Sequence, residues 1–237
     1  MLARTEEEGG MSTPVRVQLW GFVNAFLVPE EDGFTLIDTT LPRGAKKILA
    51  AARDAGTPVK RIALTHAHGD HIGGLDRLVR ELPDVEVVIG ARDERLMAKD
   101  LSLDPGEPQV PIRGDLRGCE TRPTRTVSEG DRLGSLEVVA SPGHTPGHVA
   151  FLDPRDSTLY CGDVFSTRGG IETSAHANPL FPLVVMGTWH RPTVVMSAQK
   201  LRDLEPARLA PGHGPTLDKP AAAMDAAIAR ARRALKN

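Results

Sequence analysis

The 237-residue chain has little cysteine, no clear excess of charge of either sign and no long apolar run. Cys119 and Cys161 could form one disulfide, but a chain of this length can bury a large core without a covalent link, so we expect two reduced thiols. A net charge of −2 provides no general attraction to nucleic acid or to anionic lipid. We therefore expect a small-molecule substrate, with no nucleic-acid and no membrane partner.

The beginning of the chain lacks the apolar core that a secretory signal needs, because residues 1–8 are mostly polar and include three glutamates. This composition predicts a cytoplasmic protein, and residues 1–12 are expected to be frayed. The 40% hydrophobic content and the length are typical of one layered domain. We expect a single domain over residues 1–237.

Three histidines and one aspartate lie within six residues of each other, as His66, His68, Asp70 and His71. The apolar run before them is typical of a buried strand, and Gly69 suits a turn better than a helix interior. In extended chain His66 and His68 point the same way, while Asp70 and His71 follow around the turn. This density of imidazole and carboxylate indicates a metal site that takes its remaining ligands from elsewhere in the chain.

Candidate remaining ligands follow predicted strands. His144 comes after a strand predicted over 136–140, and Pro146 prevents the helix that would place His144 and His148 on one face. One of these two should face the metal, and we expect it to be His144, with His148 orienting a ligand or filling the core. Asp163 ends a strand predicted over 157–163, where a buried carboxylate needs a partner.

His213 lies in a glycine-flanked turn after a short predicted strand and is the seventh candidate ligand. Asp38 ends an earlier strand and is either a partner for a metal-binding imidazole or a turn former. His176 and His190 have no ligand-like neighbours and are not expected to bind metal. Strand alternation turns Tyr160 away from the site.

The rest of the pattern mixes strands and helices. We predict strands over 15–28, 33–38, 61–64, 85–89, 136–140, 148–152, 157–163 and 208–210. We predict helices over 43–55, 71–82, 91–99, 193–204 and 218–235. Residues 101–126 and 166–189 show no periodicity and are expected to be irregular. The second of these stretches is either a pocket wall over the metals or ordinary packing beneath a loop.

This arrangement of motifs resembles the metallo-β-lactamase-fold hydrolases over nearly the whole chain. The resemblance implies an α/β (α+β) fold, a four-layer αββα sandwich with metals at one edge of its two sheets. It divides the seven candidate ligands between two metals: His66, His68 and His144 for the first, Asp70, His71 and His213 for the second, and Asp163 bridging both.

Departures from subfamily patterns narrow this resemblance to a general branch that includes glyoxalase II and the lactonases. Asp163 argues against the true β-lactamases, which generally lack this bridging aspartate. His68 stands where the flavo-diiron oxidoreductases usually have glutamate. Glyoxalase II enzymes have a helical substrate domain at the end of the chain, whereas only 24 residues follow His213 here. Some lactonases have a catalytic tyrosine three places after the bridging aspartate, where this sequence has Ser166.

Imidazole and carboxylate donors suit two divalent ions, zinc above all, and also accept manganese, iron or cobalt. Metal coordination lowers the pKa of bound water from 15.7 to roughly 7, so a metal pair with a bridging hydroxide is expected to hydrolyse an ester, thioester or lactone. We expect Asp70 to be catalytic, by orienting the nucleophile or passing a proton to the leaving group.

Two alternatives remain at this point. A mononuclear iron dioxygenase of the persulfide-oxidising type resembles the same fold, uses two histidines and one aspartate, and would leave His71 and His213 without metal. A phosphodiesterase would use the same two ions, although the acidic composition disfavours a nucleic-acid substrate.

Overall fold

Residues 13–236 are the part of the chain described by the structure, a computed structural model, and the fraying expected for residues 1–12 lies outside it. Its strands are β1 (Val15–Leu19), β2 (Val23–Glu30), β3 (Gly33–Ile37), β4 (Val59–Leu64), β5 (Glu86–Gly90), β6 (Arg125–Val127), β7 (Arg132–Leu133), β8 (Leu136–Ala140), β9 (Val149–Asp153), β10 (Thr158–Gly162), β11 (Phe165–Ser166), β12 (Glu172–Thr173), β13 (Arg208–Pro211) and β14 (Leu217–Asp218). Its helices are α1 (Ala45–Asp54), α2 (Gly69–Ile72), α3 (Leu75–Glu81), α4 (Glu94–Met97), α5 (Leu183–Met186), α6 (Arg191–Asp203) and α7 (Ala221–Ala234).

Two six-stranded sheets and a two-stranded ribbon contain these strands. The first sheet has the order β1-β2-β3-β4-β5-β6, antiparallel from β1 to β3 and parallel from β3 to β6. The second has the order β14-β13-β10-β9-β8-β7, in which only β10 and β13 run parallel. Strands β11 and β12 form the ribbon.

The two sheets pack face to face over a shared apolar core. Its buried side chains come from both sheets: Phe26, Val28, Ile37, Ala63, Val88 and Val127 from the first, and Leu133, Leu136, Val138, Val149, Phe151, Tyr160 and Ala210 from the second. The rings of Phe26 and Tyr160 meet edge to face across the interface, with centroids 5.2 Å apart. This burial of apolar surface is the main stabilising term that holds the sheets together.

Helices cover the outer face of each sheet. On the first sheet, α1 buries Ile48 and α3 buries Leu75 and Leu78 against strand residues. On the second, α6 and α7 bury apolar stripes that include Leu201 and Ile228. The layers therefore run helix, sheet, sheet, helix, which confirms the αββα sandwich predicted from the sequence.

Several predicted elements have different bounds in the structure. The helix expected over 71–82 is two helices, α2 and α3, interrupted at Gly73 and Gly74. The interruption has a physical reason, because Gly74 N–H donates to the carbonyl of Thr40, and a Cβ at Gly74 would lie 2.4 Å from the carbonyl oxygen of Thr39. The strand expected over 15–28 is a hairpin that turns at Trp20 and Gly21, both of which have positive φ.

The two stretches without periodicity differ from each other. Residues 101–124 are irregular, as expected, and lead into β6. Residues 166–189 contain β12 and α5 as well as the end of β11, so the prediction of an irregular segment was only partly right there. The helix expected over 91–99 is the single turn of α4.

Two properties of the described chain bear on earlier expectations. Cys119 and Cys161 are both free thiols, and burial raises the pKa of Cys119 to about 11, which makes it unreactive. Among residues 13–236, no helix combines the length and the hydropathy that a membrane crossing requires.

The inter-sheet core yields a stability prediction at two paired positions, Phe151 of β9 and Tyr160 of β10. Phe151→Ala should lower the free energy of unfolding by about 3–5 kcal/mol, because it leaves a cavity between the sheets. The buried hydroxyl of Tyr160 has no hydrogen-bond partner among the described residues. Tyr160→Phe should therefore leave the free energy of unfolding unchanged or raise it by up to about 1 kcal/mol. Urea denaturation measures both, and a clear loss of stability in Tyr160→Phe would contradict the second expectation.

Candidate metal centre

The candidate ligands follow strands that end at one edge of the sandwich. Residues of both sheets contribute: His66, His68, Asp70 and His71 follow β4 of the first sheet, and His144, Asp163 and His213 follow β8, β10 and β13 of the second. The site therefore exists only when the two sheets are packed together.

All seven predicted residues come together in overlapping groups whose donor atoms lie within 4.8 Å of one another: His66 with His68 and His144, His66 with His71 and Asp163, and Asp70 with His71 and His213. Within the described part of the chain, neither His176 nor His190 belongs to such a group. His176 lies 3.2 Å from Glu172, and His190 lies 2.7 Å from the hydroxyl of Thr193.

Each of the five imidazoles has one ring nitrogen facing the group and the other against an oxygen. The outer contacts are His66 Nδ1 with Thr65 Oγ1 at 3.0 Å, His68 Nε2 with the Arg113 carbonyl at 2.8 Å, His71 Nδ1 with Asp38 Oδ2 at 2.8 Å, His144 Nδ1 with Thr188 Oγ1 at 3.0 Å, and His213 Nδ1 with the Phe22 carbonyl at 3.0 Å. Metal-binding histidines are typically oriented in this way.

These contacts locate the protons. Carbonyl and carboxylate oxygens only accept, so the outer nitrogens of His68, His71 and His213 donate. The hydroxyl of Thr65 donates to Asp38, 2.9 Å away. The hydroxyl of Thr188 donates to a backbone carbonyl, at 2.9 Å from Ser174 O or 3.0 Å from Val184 O. Both hydroxyl oxygens therefore accept from their imidazoles, and all five outer nitrogens carry a proton.

The inner nitrogens of the first group consequently present lone pairs to one another. His68 Nδ1 lies 3.1 Å from His66 Nε2 and 3.0 Å from His144 Nε2. Burial lowers the pKa of His68, and lowers the pKa values of His66 and His144 further, so all three rings are neutral. Three converging lone pairs on neutral imidazoles repel each other, and a bound cation is the group that satisfies them.

Asp163 lies between the first group, His66 with His68 and His144, and a second group, Asp70 with His71 and His213. Its Oδ2 is 3.4 Å from His144 Nε2 and 3.2 Å from His213 Nε2, and its Oδ1 is 3.4 Å from His71 Nε2. Asp163 Oδ1 and His71 Nε2 are buried without a hydrogen-bond partner among the described residues. Buried polar atoms are nearly always paired, so these two orphaned atoms fit a metal as their common partner.

The second group lies among more carboxylates than the first. Burial alone would lower the pKa values of its two imidazoles, but the nearby carboxylates outweigh burial. Asp163, Asp38 and Asp70 raise the pKa of His71, and Asp163 and Asp70 raise the pKa of His213 to about 9. Burial raises the pKa of Asp70, but His71 and His213 outweigh it, so this pKa is lowered. A cation bound here competes with the protons of His71 and His213, so binding releases protons.

Two further buried groups hold the candidate ligands in place. Asp38 accepts hydrogen bonds from the imidazole of His71 and from the backbone N–H of Thr65, and it is also a turn residue with a φ of 57°. His148 Nε2 accepts the backbone N–H of Asp163 at 3.1 Å, and its Nδ1 contacts the Ser141 hydroxyl at 2.9 Å. Burial lowers the pKa of His148 to about 3, so this ring stays neutral. Of the two roles expected for His148, its hydrogen bond to Asp163 favours the orienting one over simple filling of the core.

Asp93 was not identified from the sequence. Its buried carboxylate accepts the N–H of Ala67 at 3.0 Å, the hydroxyl of Thr145 at 2.7 Å and the N–H of Gly147 at 2.7 Å. Ala67 lies between two candidate ligands and Thr145 directly follows a third. These hydrogen bonds tie the segment after β4 to the segment after β8. Burial raises the pKa of Asp93, although the same hydrogen bonds act to lower it.

A cavity of about 360 Å³ opens onto the candidate ligands. Its lining consists of Phe22, His68, Asp70, Gly114, Asp115, His144, Asp163, Leu183, Val184, Met186, Gly187 and His213. Gly114 and Asp115 belong to the stretch 101–126, and residues 183–187 belong to the stretch 166–189. Both stretches therefore form pocket walls, and ordinary packing does not account for the second one.

The two pocket-forming stretches are also joined to each other. The indole N–H of Trp189 donates to the carbonyl of Val110 at 3.0 Å, and the backbone N–H of Trp189 donates to the carbonyl of His144 at 3.0 Å. The wall of the cavity and a candidate ligand are thus held by the same residue.

A family model described as the metallo-beta-lactamase superfamily matches residues 19–213, which contain the whole site. The chain belongs to this superfamily. The match agrees with the sandwich and with the histidine and aspartate groups at its edge.

Relatives within the superfamily differ in how much of their length this chain covers. The uncharacterized protein YobT of Bacillus subtilis (strain 168) is 43% identical over 89% of this chain and 91% of its own length. A hydroxyacylglutathione hydrolase of Xanthomonas euvesicatoria pv. vesicatoria (strain 85-10) is 33% identical, but the match covers 54% of this chain and only 41% of that protein. Among solved structures, TTHA1623 in a di-iron-bound form is 30% identical with a TM-score of 0.64, over 90% of this chain and 97% of that one.

Gly212 provides a test of the site's tight packing. A Cβ at this position would lie 2.5 Å from Asp163 Oδ1 and 2.6 Å from His71 Cε1. Gly212→Ala should therefore displace both side chains and weaken metal binding by roughly 10-fold or more. Gly106→Ala is the matched control, because a Cβ there meets no atom within 4 Å. Titration of the metal-free proteins with zinc measures the affinities, and equal affinities in the two variants would contradict the expectation.

Asp93 provides a second test. In Asp93→Asn one carboxylate oxygen becomes an NH₂ group, which cannot accept from Ala67 N–H or Gly147 N–H. We expect the free energy of unfolding to fall by about 1–3 kcal/mol and zinc affinity to fall with it, because the segments that carry the candidate ligands lose their tie. The exposed Asp84→Asn variant should match the parent protein in both measurements. Unchanged zinc affinity in Asp93→Asn would show that the tie does not position the site.

Proposed function

We propose that this superfamily member is a binuclear metallo-hydrolase that cleaves an ester, thioester or lactone of a small molecule. The seven proposed ligands are His66, His68 and His144 for one ion, Asp70, His71 and His213 for the other, and Asp163 shared by both. The observation that carries the proposal is the position of the Asp163 carboxylate, within 3.4 Å of inner nitrogens from both groups.

The donor set favours two divalent ions. Nitrogen and oxygen donors without thiolate suit zinc first, with manganese, iron or cobalt as substitutes. The similar structure of TTHA1623 is described as a di-iron form, which supports a site for two ions and keeps iron among the candidates. When bound, such a pair supplies hydroxide at neutral pH and polarises the scissile carbonyl.

The chain's own residues fit hydrolysis by water. No serine, cysteine or lysine lines the cavity within the described part of the chain, so no side chain there offers the usual covalent nucleophile. His68, His144, Asp163 and His213 line the cavity directly, which brings the reacting carbonyl of a bound substrate to the ligand set.

Asp70 is the residue that we assign to proton handling. Its side chain is 30% exposed and lines the cavity, whereas Asp163 is almost fully buried. The lowered pKa keeps Asp70 ionised, so it accepts a hydrogen bond from the attacking water and orients it. We assign to the same carboxylate the transfer of the proton to the leaving group.

The proposal is tested by measuring metal content and turnover together. The protein is stripped with a chelator, reloaded separately with zinc, manganese, iron or cobalt, and assayed on esters, thioesters, lactones, β-lactams and phosphodiesters. We expect two ions per chain and turnover of carboxylic ester-type bonds that disappears on chelation. One iron per chain with thiol-dependent oxygen uptake would overturn the proposal, and turnover of phosphodiesters alone would reassign the substrate.

Substitutions separate the roles of the ligands. His144→Ala and His71→Ala should each remove about one ion per chain, because each residue belongs to a different group. Asp70→Asn should lower kcat by roughly 100-fold or more, the range for loss of a positioned proton acceptor. His176→Ala, a histidine outside the groups, is the control and should keep both ions and full turnover. Retention of both ions in His71→Ala would contradict the assignment of the second group.

A further inference from the structure

One wall of the cavity is apolar and exposed. It is formed by Phe22 from the turn between β1 and β2 and by Leu183, Val184 and Met186 of α5, and we refer to these four residues as the apolar wall. Leu183 is 57% exposed and Met186 is 64% exposed, although both are large hydrophobic residues. Large exposed apolar side chains at the mouth of a cavity indicate a surface that a ligand covers.

The apolar wall reaches the candidate ligands through aromatic contacts. The ring of Phe22 lies 5.8 Å from that of Phe181, and the ring of Phe181 lies 5.2 Å from that of His213. The carbonyl of Phe22 also accepts the outer N–H of His213. A molecule whose reacting bond lies at the ligand set therefore extends its substituent along this wall.

The apolar part of the cavity offers no side-chain partner to an anionic substituent. None of the lining residues in the described chain is a lysine or an arginine. Two arginines near the lining residues have partners of their own. Arg117 forms an ion pair with Asp115, and Arg168 donates to the carbonyl of Gly21 with its guanidinium 5.8 Å from the ring centre of Phe22.

From these observations, and resting on the proposed hydrolase function, we propose that the substrate carries a neutral alkyl or aryl group that binds on the apolar wall. A glutathione thioester, the type of substrate that the name of the Xanthomonas relative implies for that protein, carries charged carboxylates that have no cationic partner in this cavity. The chain therefore selects an apolar acyl group, and a charged tail of the same length is disfavoured because its charge must be desolvated against the apolar wall.

The test measures binding of product-like carboxylates, which does not require turnover. Butyrate, hexanoate, octanoate and octanedioate are titrated into the zinc-loaded protein by calorimetry. We expect the dissociation constant to fall roughly threefold for each methylene from butyrate to octanoate, since each added methylene is buried against the wall. Octanedioate, with a second carboxylate at the far end, should bind at least about 10-fold more weakly than octanoate.

Variants of the apolar wall locate the effect. Leu183→Ala and Met186→Ala should each flatten the dependence of the dissociation constant on chain length. Met196→Ala is the matched control, because Met196 is 73% exposed on α6 and does not line the cavity. Equal binding of octanoate and octanedioate, or a dependence on chain length that survives both wall substitutions, would overturn the inference.

Hydrolysis of the matching butyryl and octanoyl thioesters is measured in parallel, so that the two proposals fail separately. Binding that depends on chain length without any turnover supports the apolar site and overturns the hydrolase. Turnover of both thioesters with carboxylate binding that is independent of length supports the hydrolase and overturns the apolar site.

Discussion

The site depends on a hydrogen bond at the outer nitrogen of every imidazole in the cluster. Each of these bonds fixes the proton on the side of the ring away from the centre, and so fixes which nitrogen faces inward. The five partners are two hydroxyls, two backbone carbonyls and one carboxylate, and they come from different segments of the chain. The neutral imidazoles of His66, His68 and His144 direct lone pairs at one another and repel, so the surrounding fold must hold them in place, and a cation removes the repulsion.

Much of the fold and of the site followed from the sequence for physical reasons. The apolar runs before His66, His144 and Asp163 predicted strands, and side chains that follow parallel or neighbouring strand ends meet at one edge of a sheet. The spacing of the histidine motif predicted the metal site, since few structural roles require three imidazoles and a carboxylate in six residues. The bounds of short elements were less certain, as at Gly73 and Gly74, where a tertiary contact rather than local propensity ends a helix.

The supporting groups were harder to predict because they leave little trace in the sequence. Asp93 is remote in sequence from all three of its hydrogen-bond donors and stands in a segment without a recognisable motif. The carbonyls of Phe22 and Arg113 orient two imidazoles. Every residue has a backbone carbonyl, so the sequence does not show which ones have this role. The same holds for Gly212, whose importance comes from the close approach of Asp163 and His71 and not from a turn.

The hydrogen bond between the indole of Trp189 and the carbonyl of Val110 has a consequence for divergence within the superfamily. It ties together two loops that are far apart in sequence and that both line the cavity. An insertion in either loop pulls on the other and on the backbone of His144. New specificities should therefore arise more readily by exchanging side chains on the existing loops than by lengthening one loop alone.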